Sequence, residues 1–517
     1  MRKLLFLLSL FTPFLAGSQV ILQYQRDYQA PAAHNFTLLD MATDGSGNAY
    51  LLYFVDPGKH YLLRKLDAAG TTIWTDTVAI GNYSQVNVTE GRLRYQNNKL
   101  LVFGGFCQGS SCGAGLLLYD LNGNVTNSHL IPINWSLSGF AAYELSGGDL
   151  LVYYSYGDQF TPNPVMHVTR YTPAWQTVWT KSYPAKNIGR YNPSYLTPAD
   201  EIIFSYTDDS VAGGMHYPVS YTRKLDNSGS LMWTHARAGV NYRAIGRLSN
   251  GDMVLGGNAF APGTFYTNNG GDIMLTSVSD MNGGELWSQS YNGPGNERDE
   301  IYGIAIDNND NIYIGGVQDV HDYTPFVNSS VLRKYNSSGT LQWSKFGTTG
   351  SSATAVYYDG NGRVICMGVH GNGFKVARYA ASGAGIDSSF QSTSQAIGMV
   401  NHMYFWQDHV YTGFSEGHCG ANHINLWRYC LGLDCTPLSA AGPLVDEVPG
   451  VYPNPASDQL FFAGANIARV EICNMTGAVV GLQLSGHTMD ISSLPAGIYM
   501  VRMTTDAGTI QSKLLKL

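Results

Sequence analysis

Residues 300–346 read EIYGIAIDNNDNIYIGGVQDVHDYTPFVNSSVLRKYNSSGTLQWSKF. Apolar and polar residues alternate over 301–306, 311–315, 330–335 and 340–346, which is the period of a strand with one buried face. Between the first two runs, Asp307-Asn308-Asn309-Asp310-Asn311 supplies short side chains that cap a tight hairpin. Between the last two, Asn336-Ser337-Ser338-Gly339 supplies a residue tolerant of positive φ. Four such strands make an antiparallel sheet that cannot bury both of its faces alone. It needs copies of itself.

The copies fill residues 19–436. A Gly-x-x-x-Trp ending recurs at Gly70 and Trp74, Gly229 and Trp233, Gly283 and Trp287, and Gly339 and Trp343, with Trp175-Gln176-Thr177-Val178-Trp179 as a variant. From Trp179 onward these endings are spaced by about 55 residues, the length of a four-strand unit. Gly123 marks a further unit that has no Trp. An earlier strand in several units ends in Gly-Gly, at Gly105, Gly257 and Gly316, as crowding of neighbouring backbones near a central axis would require. Two shorter units follow at 353–390 and 399–429, and the last has only three strands. The missing strand is available at 20–28, an alternating run with no unit of its own. Pairing it into the last sheet would close a ring and remove exposed edges. The expected fold is therefore all-β: an eight-bladed β-propeller, with seven blades as the alternative, closed by the N-terminal strand and followed by a small C-terminal β-sandwich.

Composition agrees with many short strands. The 517 residues include 59 Gly and 34 Tyr, only 13% are charged, and no long helical amphipathic pattern is visible. The net charge of −8 is spread without blocks, so the basic stripe of a nucleic-acid binder is missing. Met1-Arg2-Lys3, an apolar run over 4–15 and Ala16-Gly17-Ser18 read as a secretory signal at 1–18. No later segment has the length and apolarity of a transmembrane span. Residues 437–447, with Pro437, Gly442 and Pro443, read as a linker, and the pattern changes from 448 to 517.

Asp44-Gly45-Ser46-Gly47-Asn48-Ala49-Tyr50 and Asp307-Asn308-Asn309-Asp310-Asn311-Ile312-Tyr313, with the Trp endings, resemble a bacterial β-propeller repeat family. The endings are also similar to the repeats of quinone-cofactor propellers. These marks are scaffold residues and imply a fold without an activity. The C-terminal region resembles the sorting domain of the type IX secretion system of Bacteroidetes. The matching residues are Val451-Tyr452-Pro453-Asn454-Pro455, Val470-Glu471-Ile472-Cys473-Asn474-Met475-Thr476-Gly477, Leu494-Pro495-Ala496-Gly497-Ile498-Tyr499 and the closing Lys513-Leu514-Leu515-Lys516-Leu517. The resemblance implies recognition by the outer-membrane translocon, removal of the domain, and a cargo that is released or attached to the outer cell surface. An immunoglobulin-like adhesion domain would show the same strand pattern.

Seven cysteines in an exported chain invite pairing, and the odd number leaves at least one unpaired. Cys107 and Cys112 share a glycine-rich loop; Cys419, Cys430 and Cys435 cluster where a bridge would pin the ring closure. Cys366, in an apolar strand, reads as a buried thiol. His418, Cys419, His423 and Cys430 include zinc-type ligands at a spacing that fits no familiar finger. Asp307, Asp310 and Asn311 offer calcium-type oxygens without the further ligands a calcium loop uses. The neighbours Asp208-Asp209 and Asp299-Glu300 would point to opposite faces of a strand, against joint acid and base work. No cofactor signature or linear catalytic motif is present. The expectation is a monomeric exported propeller that binds a glycan or protein at its loop-bearing face. The alternative is a polysaccharide lyase or glycoside hydrolase with its active site at the axis; a third reading, quinone-dependent oxidation, lacks metal ligands.

Overall fold

The computed structural model describes residues 21–29, 35–56, 59–83, 91–108, 111–132, 137–156, 165–185, 193–212, 215–260, 271–295, 297–320, 329–349, 351–370, 373–392, 402–406, 409–416, 423–431, 444–445, 450–452, 456, 458–463, 467–474, 478–480, 488–505 and 508–516. The signal-like segment 1–18 lies outside them. Every regular element among them is a β-strand.

Seven four-stranded antiparallel sheets follow one another along the chain, at 35–78, 91–132, 137–184, 194–238, 240–291, 298–349 and 355–392. The opening stretch forms the sixth, with strands Arg298–Ile306, Ile312–Val320, Ser329–Tyr335 and Leu341–Thr349. An eighth sheet combines His402–Trp406, His409–Glu416 and His423–Cys430 with the first strand of the described chain, Ile21–Gln29. That strand pairs antiparallel with His423–Cys430, from Ile21 opposite Cys430 to Gln29 opposite His423.

Burial closes the ring. Tyr61 and Phe106 share a core between the first and second sheets, and Leu101 and Val152 between the second and third. The series continues through Tyr153 with Phe204, Trp233 with Leu255, Leu275 with Ile314, Tyr313 with Val364, and Phe374 with Trp427. Leu51 of the first sheet then packs with Tyr411 and Leu426 of the eighth. Each sheet thus covers one face with the sheet before it and the other with the sheet after it, the arrangement of a β-propeller.

The recurrent Gly-x-x-x-Trp has a concrete purpose. Each glycine sits in the outer hairpin turn at positive φ, for example Gly283 at 71° and Gly339 at 79°. The tryptophan of the preceding sheet lies against it: a Cβ on Gly283 would come within 2.8 Å of the Trp233 ring, and one on Gly339 within 2.7 Å of Trp287. The indole N–H then donates to a carbonyl of the same turn, Trp233 to Asp280 at 2.8 Å, Trp287 to Ser337 at 2.9 Å and Trp343 to Ala381 at 3.0 Å. Basic residues of the third strands reinforce the seam, with Lys65 reaching Leu121 O at 2.8 Å and Lys334 reaching Ala381 O at 2.9 Å. Arg428 of the eighth sheet donates to Ala68 O of the first, so the closing interface uses the same device.

The second and third sheets exchange partners in this device. Where the second sheet should present Trp, four residues after Gly123, it has Asn127; where the third should present Gly in its turn, it has Trp175, at φ 61°. Trp175 donates its indole N–H back to Asn127 Oδ1 at 2.6 Å, Asn127 donates to Pro173 O at 2.7 Å, and His129 stacks on Trp175 with centroids 4.6 Å apart. The indole still bridges the two sheets, but it is supplied from the other side.

Two readings of the sequence change. The Gly-Gly pairs are crowded, but only partly by neighbouring sheets: Gly256 meets Ile301 and Ile304 of the next sheet, whereas a Cβ on Gly257 would strike Asn241 O of its own sheet at 2.1 Å. The inner strand bulges there, between Tyr242 and Ala244, and tips that carbonyl over the glycine. Within the linker, Leu444–Val445 pairs parallel with Arg26 and Asp27 as a fifth strand of the eighth sheet. The outer edge of the N-terminal strand offers unpaired backbone groups that this short segment satisfies.

The C-terminal region holds two three-stranded sheets. One contains Gly450–Tyr452, Gln459–Ala463 and Thr488–Asp490; the other contains Ile467–Cys473, Gly497–Thr505 and Gly508–Lys516. Leu460, Ile472, Met489, Val501 and Leu514 form their shared core.

Candidate functional site at the propeller axis

Side chains from the first strands of five sheets converge on one cavity of about 500 Å³, which only the centre of a ring permits. Asp40 and Thr43 come from the first sheet, Arg92 and Arg94 from the second, Ala141 from the third, Ser194 from the fourth and Tyr404 from the eighth. On the strand Gly91–Gln96, Leu93 is buried in the core between sheets, so alternation gives Arg92 and Arg94 a common opposite face. A bulge between Leu38 and Asp40 sets the direction of Asp40 on its strand.

Asp40 is a junction. Its Oδ1 accepts from Met41 N at 2.9 Å and from the Tyr404 hydroxyl at 3.1 Å, and its Oδ2 accepts from Leu93 N at 2.9 Å. One carboxylate therefore ties the eighth, first and second sheets together. Burial and the adjacent Asp40 charge push the Tyr404 phenol well above its ordinary range, so it stays a donor. Across the cavity, the Arg94 guanidinium lies 3.9 Å from the centroid of the Tyr143 ring, and the Tyr143 hydroxyl is 2.6 Å from Ser194 Oγ. Burial raises the nearby Tyr153 phenol as well, against the opposing pull of the Arg92 and Arg94 charges.

A second ionisable group of residues joins the fifth and sixth sheets. Burial favours the neutral form of Glu300, but Arg243 at 3.2 Å, the Tyr302 hydroxyl at 2.7 Å and Arg298 hold its carboxyl below the usual range. Its neighbour Asp299 is fully buried and is pushed up to about 6 by that burial and by the charges of Asp319 and Asp272, despite accepting from Gly293 N at 2.6 Å and Asp319 N at 2.9 Å. The two carboxyls have opposed shifts and separate partners, as their adjacency on a strand implied.

The residues singled out from the sequence fall into four groups. Cys107 and Cys112 are disulfide-bonded, with Cα atoms 4.1 Å apart. Cys430 is also disulfide-bonded, and its partner lies outside the described residues, as do Cys419, Cys435 and His418. That bond removes Cys430 from any zinc site. Cys366 carries a thiol pushed up to about 12 by burial, and Cys473 is a buried thiol. Asp307 is occupied by its own turn: it accepts from Asn309 N and Asn311 N at 2.9 Å, from Asn311 Nδ2 at 2.8 Å and from the Tyr313 hydroxyl at 2.9 Å. Asp310 accepts from Ser249 N and Oγ of the fifth sheet at 2.7 and 2.6 Å. Both act as seams between strands and sheets. In the C-terminal region, Tyr499 is buried and donates to Pro495 O at 2.8 Å. Gly497 pairs in register with Lys516, and Ala456 bridges to Lys516, so the start and the end of the region meet. Pro453, Asn454 and Pro455, and the Lys513 side chain, lie outside the described residues.

The axial residues were missed by sequence reading. Their only trace was the pair Arg92 and Arg94 flanking the apolar Leu93 just before the strand that ends at Gly105.

Residues 450–516 match the family model of the secretion system C-terminal sorting domain. The protein is thus a β-propeller joined to a sorting domain, and its route is type IX secretion to the cell surface or the extracellular space. No helix among the described residues is long and apolar enough to cross a membrane. No curated protein matches the chain. Among solved structures, the Dos1 propeller is similar at 12% identity and a TM-score of 0.47, covering 79% of this chain and 95% of that one. The polysaccharide lyase Uly1 is similar at 8% identity and a TM-score of 0.41, covering 80% and 100%. A protein of unknown function from Dyadobacter fermentans is similar at 9% identity and a TM-score of 0.39, also covering 80% and 100%. Likeness at this level says nothing of activity.

Proposed function

We propose that this secreted propeller is a binding module for a glycan or a protein segment and that the axial cavity is its site. The observation that carries this reading is the state of Asp40. It is the one carboxylate among the described lining residues, and its two oxygens already accept three hydrogen bonds that hold three sheets together. Glycoside hydrolysis uses two carboxyls across a bond, one of them able to give or take a proton. A carboxylate committed to structure beside phenols held protonated is suited to positioning a ligand instead. Lyase or hydrolase chemistry at this cavity is the rival reading.

The test is a glycan and peptide array probed with the full chain, then with Thr43→Trp, which places an indole in the cavity from a partly buried position. Ligands that bind the natural chain and are lost in a variant of unchanged melting temperature support the reading. Unchanged binding by the variant places the site elsewhere. Cleavage of any bound polysaccharide, seen as new reducing ends or new ultraviolet absorbance, would make the protein an enzyme.

A further inference from the structure

The geometry points to a particular ligand chemistry for the axial cavity: a saccharide carrying an oxyanion, either a carboxylate or a sulfate ester, received by Arg92 and Arg94. This deepens the proposed function and rests on the cavity being a binding site.

Three observations converge. First, on a chain of net charge −8, the described lining residues hold two guanidinium groups and one carboxylate, Arg92 also donating to Gly91 O at 3.1 Å. Second, Arg94 is presented rather than used. It makes no ion pair and donates no hydrogen bond among the described residues, and its guanidinium carbon lies 3.9 Å from the centroid of the Tyr143 ring. An approach that close fits stacking of the guanidinium face on the ring, which leaves the in-plane N–H groups, the fork that matches an oxyanion with two parallel hydrogen bonds. The supporting ring is itself fixed, because the Tyr143 hydroxyl is held by Ser194 at 2.6 Å. Third, Tyr153 of the third sheet and Tyr404 of the eighth line the same cavity as both guanidinium groups.

Size and surroundings select a sugar over a bare anion. A volume of about 500 Å³ is far larger than an inorganic oxyanion and falls within the range of organic-ligand sites. Tyr95 and Tyr404 add aromatic surface to the lining, against which the C–H faces of a sugar ring can pack.

Calorimetric titration of the full chain with digalacturonate, its dimethyl ester and a sulfated galactobiose tests the proposal. The acid should bind on the order of tenfold or more tightly than the ester, the effect of one hydrogen-bonded charge pair. Arg94→Gln should reduce that difference several-fold, and Arg94→Lys, which keeps the charge but loses the fork, should fall between. Melting temperatures of both variants separate a lost contact from a damaged fold, and the acid-to-ester ratio of the natural chain should shrink as salt rises, a readout that needs no variant. Preference for the sulfated sugar alone assigns the oxyanion to a sulfate ester. Equal affinity for acid and ester with no preference for the sulfated sugar, or a preference undiminished in Arg94→Gln, overturns the proposal and leaves the binding reading standing. Absence of binding by all three probes overturns it as well, and the array with Thr43→Trp then decides separately whether the cavity binds anything.

Discussion

Replacing Trp233 tests the physical basis of the ring. The side chain is only 4% exposed, lies against Gly283 of the next sheet and donates its indole N–H to Asp280 O at 2.8 Å. Trp233→Phe keeps most of the ring but strands the carbonyl acceptor, an expected loss of about 1–2 kcal/mol. Trp233→Ala removes the ring from a packed interface and should cost about 3–5 kcal/mol. Gly283→Ala attacks the same contact from the other side. It combines roughly 1–2 kcal/mol for a side chain at positive φ with displacement of the indole, so it should exceed the phenylalanine variant. Equilibrium unfolding in urea, followed by tryptophan fluorescence and by far-ultraviolet circular dichroism, measures all three. If Trp233→Ala and Gly283→Ala each cost less than about 1 kcal/mol, the recurrent motif is not what joins the sheets, whatever its regularity.

The exchanged pair gives a second expectation: Asn127→Trp and Trp175→Gly should each destabilise, while the double variant, which restores the common arrangement, should recover at least part of the loss, with coupling of about 0.5–3 kcal/mol. A third concerns pH. The Asp299 carboxyl titrates near 6 when folded, above its unfolded range, so the native state holds the extra proton; the stability it contributes is complete below about pH 4 and is lost as pH rises through 6. Asp299→Asn should therefore flatten the fall in unfolding free energy between pH 4.5 and 7.5, by on the order of 3 kcal/mol or less in urea unfolding; an unchanged profile would refute the assignment. Deleting residues 19–30 should expose the His423–Cys430 edge and shift the protein to oligomers in size-exclusion chromatography, and a well-behaved monomer would contradict closure by that strand. Deleting 448–517 should leave the protein in the periplasm when cell fractions are blotted, and its appearance outside the cell would separate export from the matched domain.

Much of the architecture could be read from residues close together in the chain. Alternation between 301 and 346, the Asp307 turn and the Gly339 turn specify one sheet by local rules, because strand period and turn conformation depend on near neighbours. Repetition then implies the rest, and the unpaired run at 20–28 implies closure. The bond between Cys107 and Cys112 was likewise legible, since five residues separate them. The exchange of Asn127 and Trp175 looked like a defect in the repeat. Its compensation crosses from one sheet to the next and has no signature within either unit.

The sequence alone determined that this chain makes similar sheets, that they form a ring, and that a distinct tail directs export; each follows from local patterning repeated or from a contiguous terminal motif. Only the tertiary structure decided that Asp40, Arg92, Arg94, Ala141, Ser194 and Tyr404 share one cavity. Those residues lie on five different sheets, and the ring brings them together through burial of the faces between sheets. Packing that conceals one set of side chains thus fixes, as a by-product of geometry, which others meet at the centre.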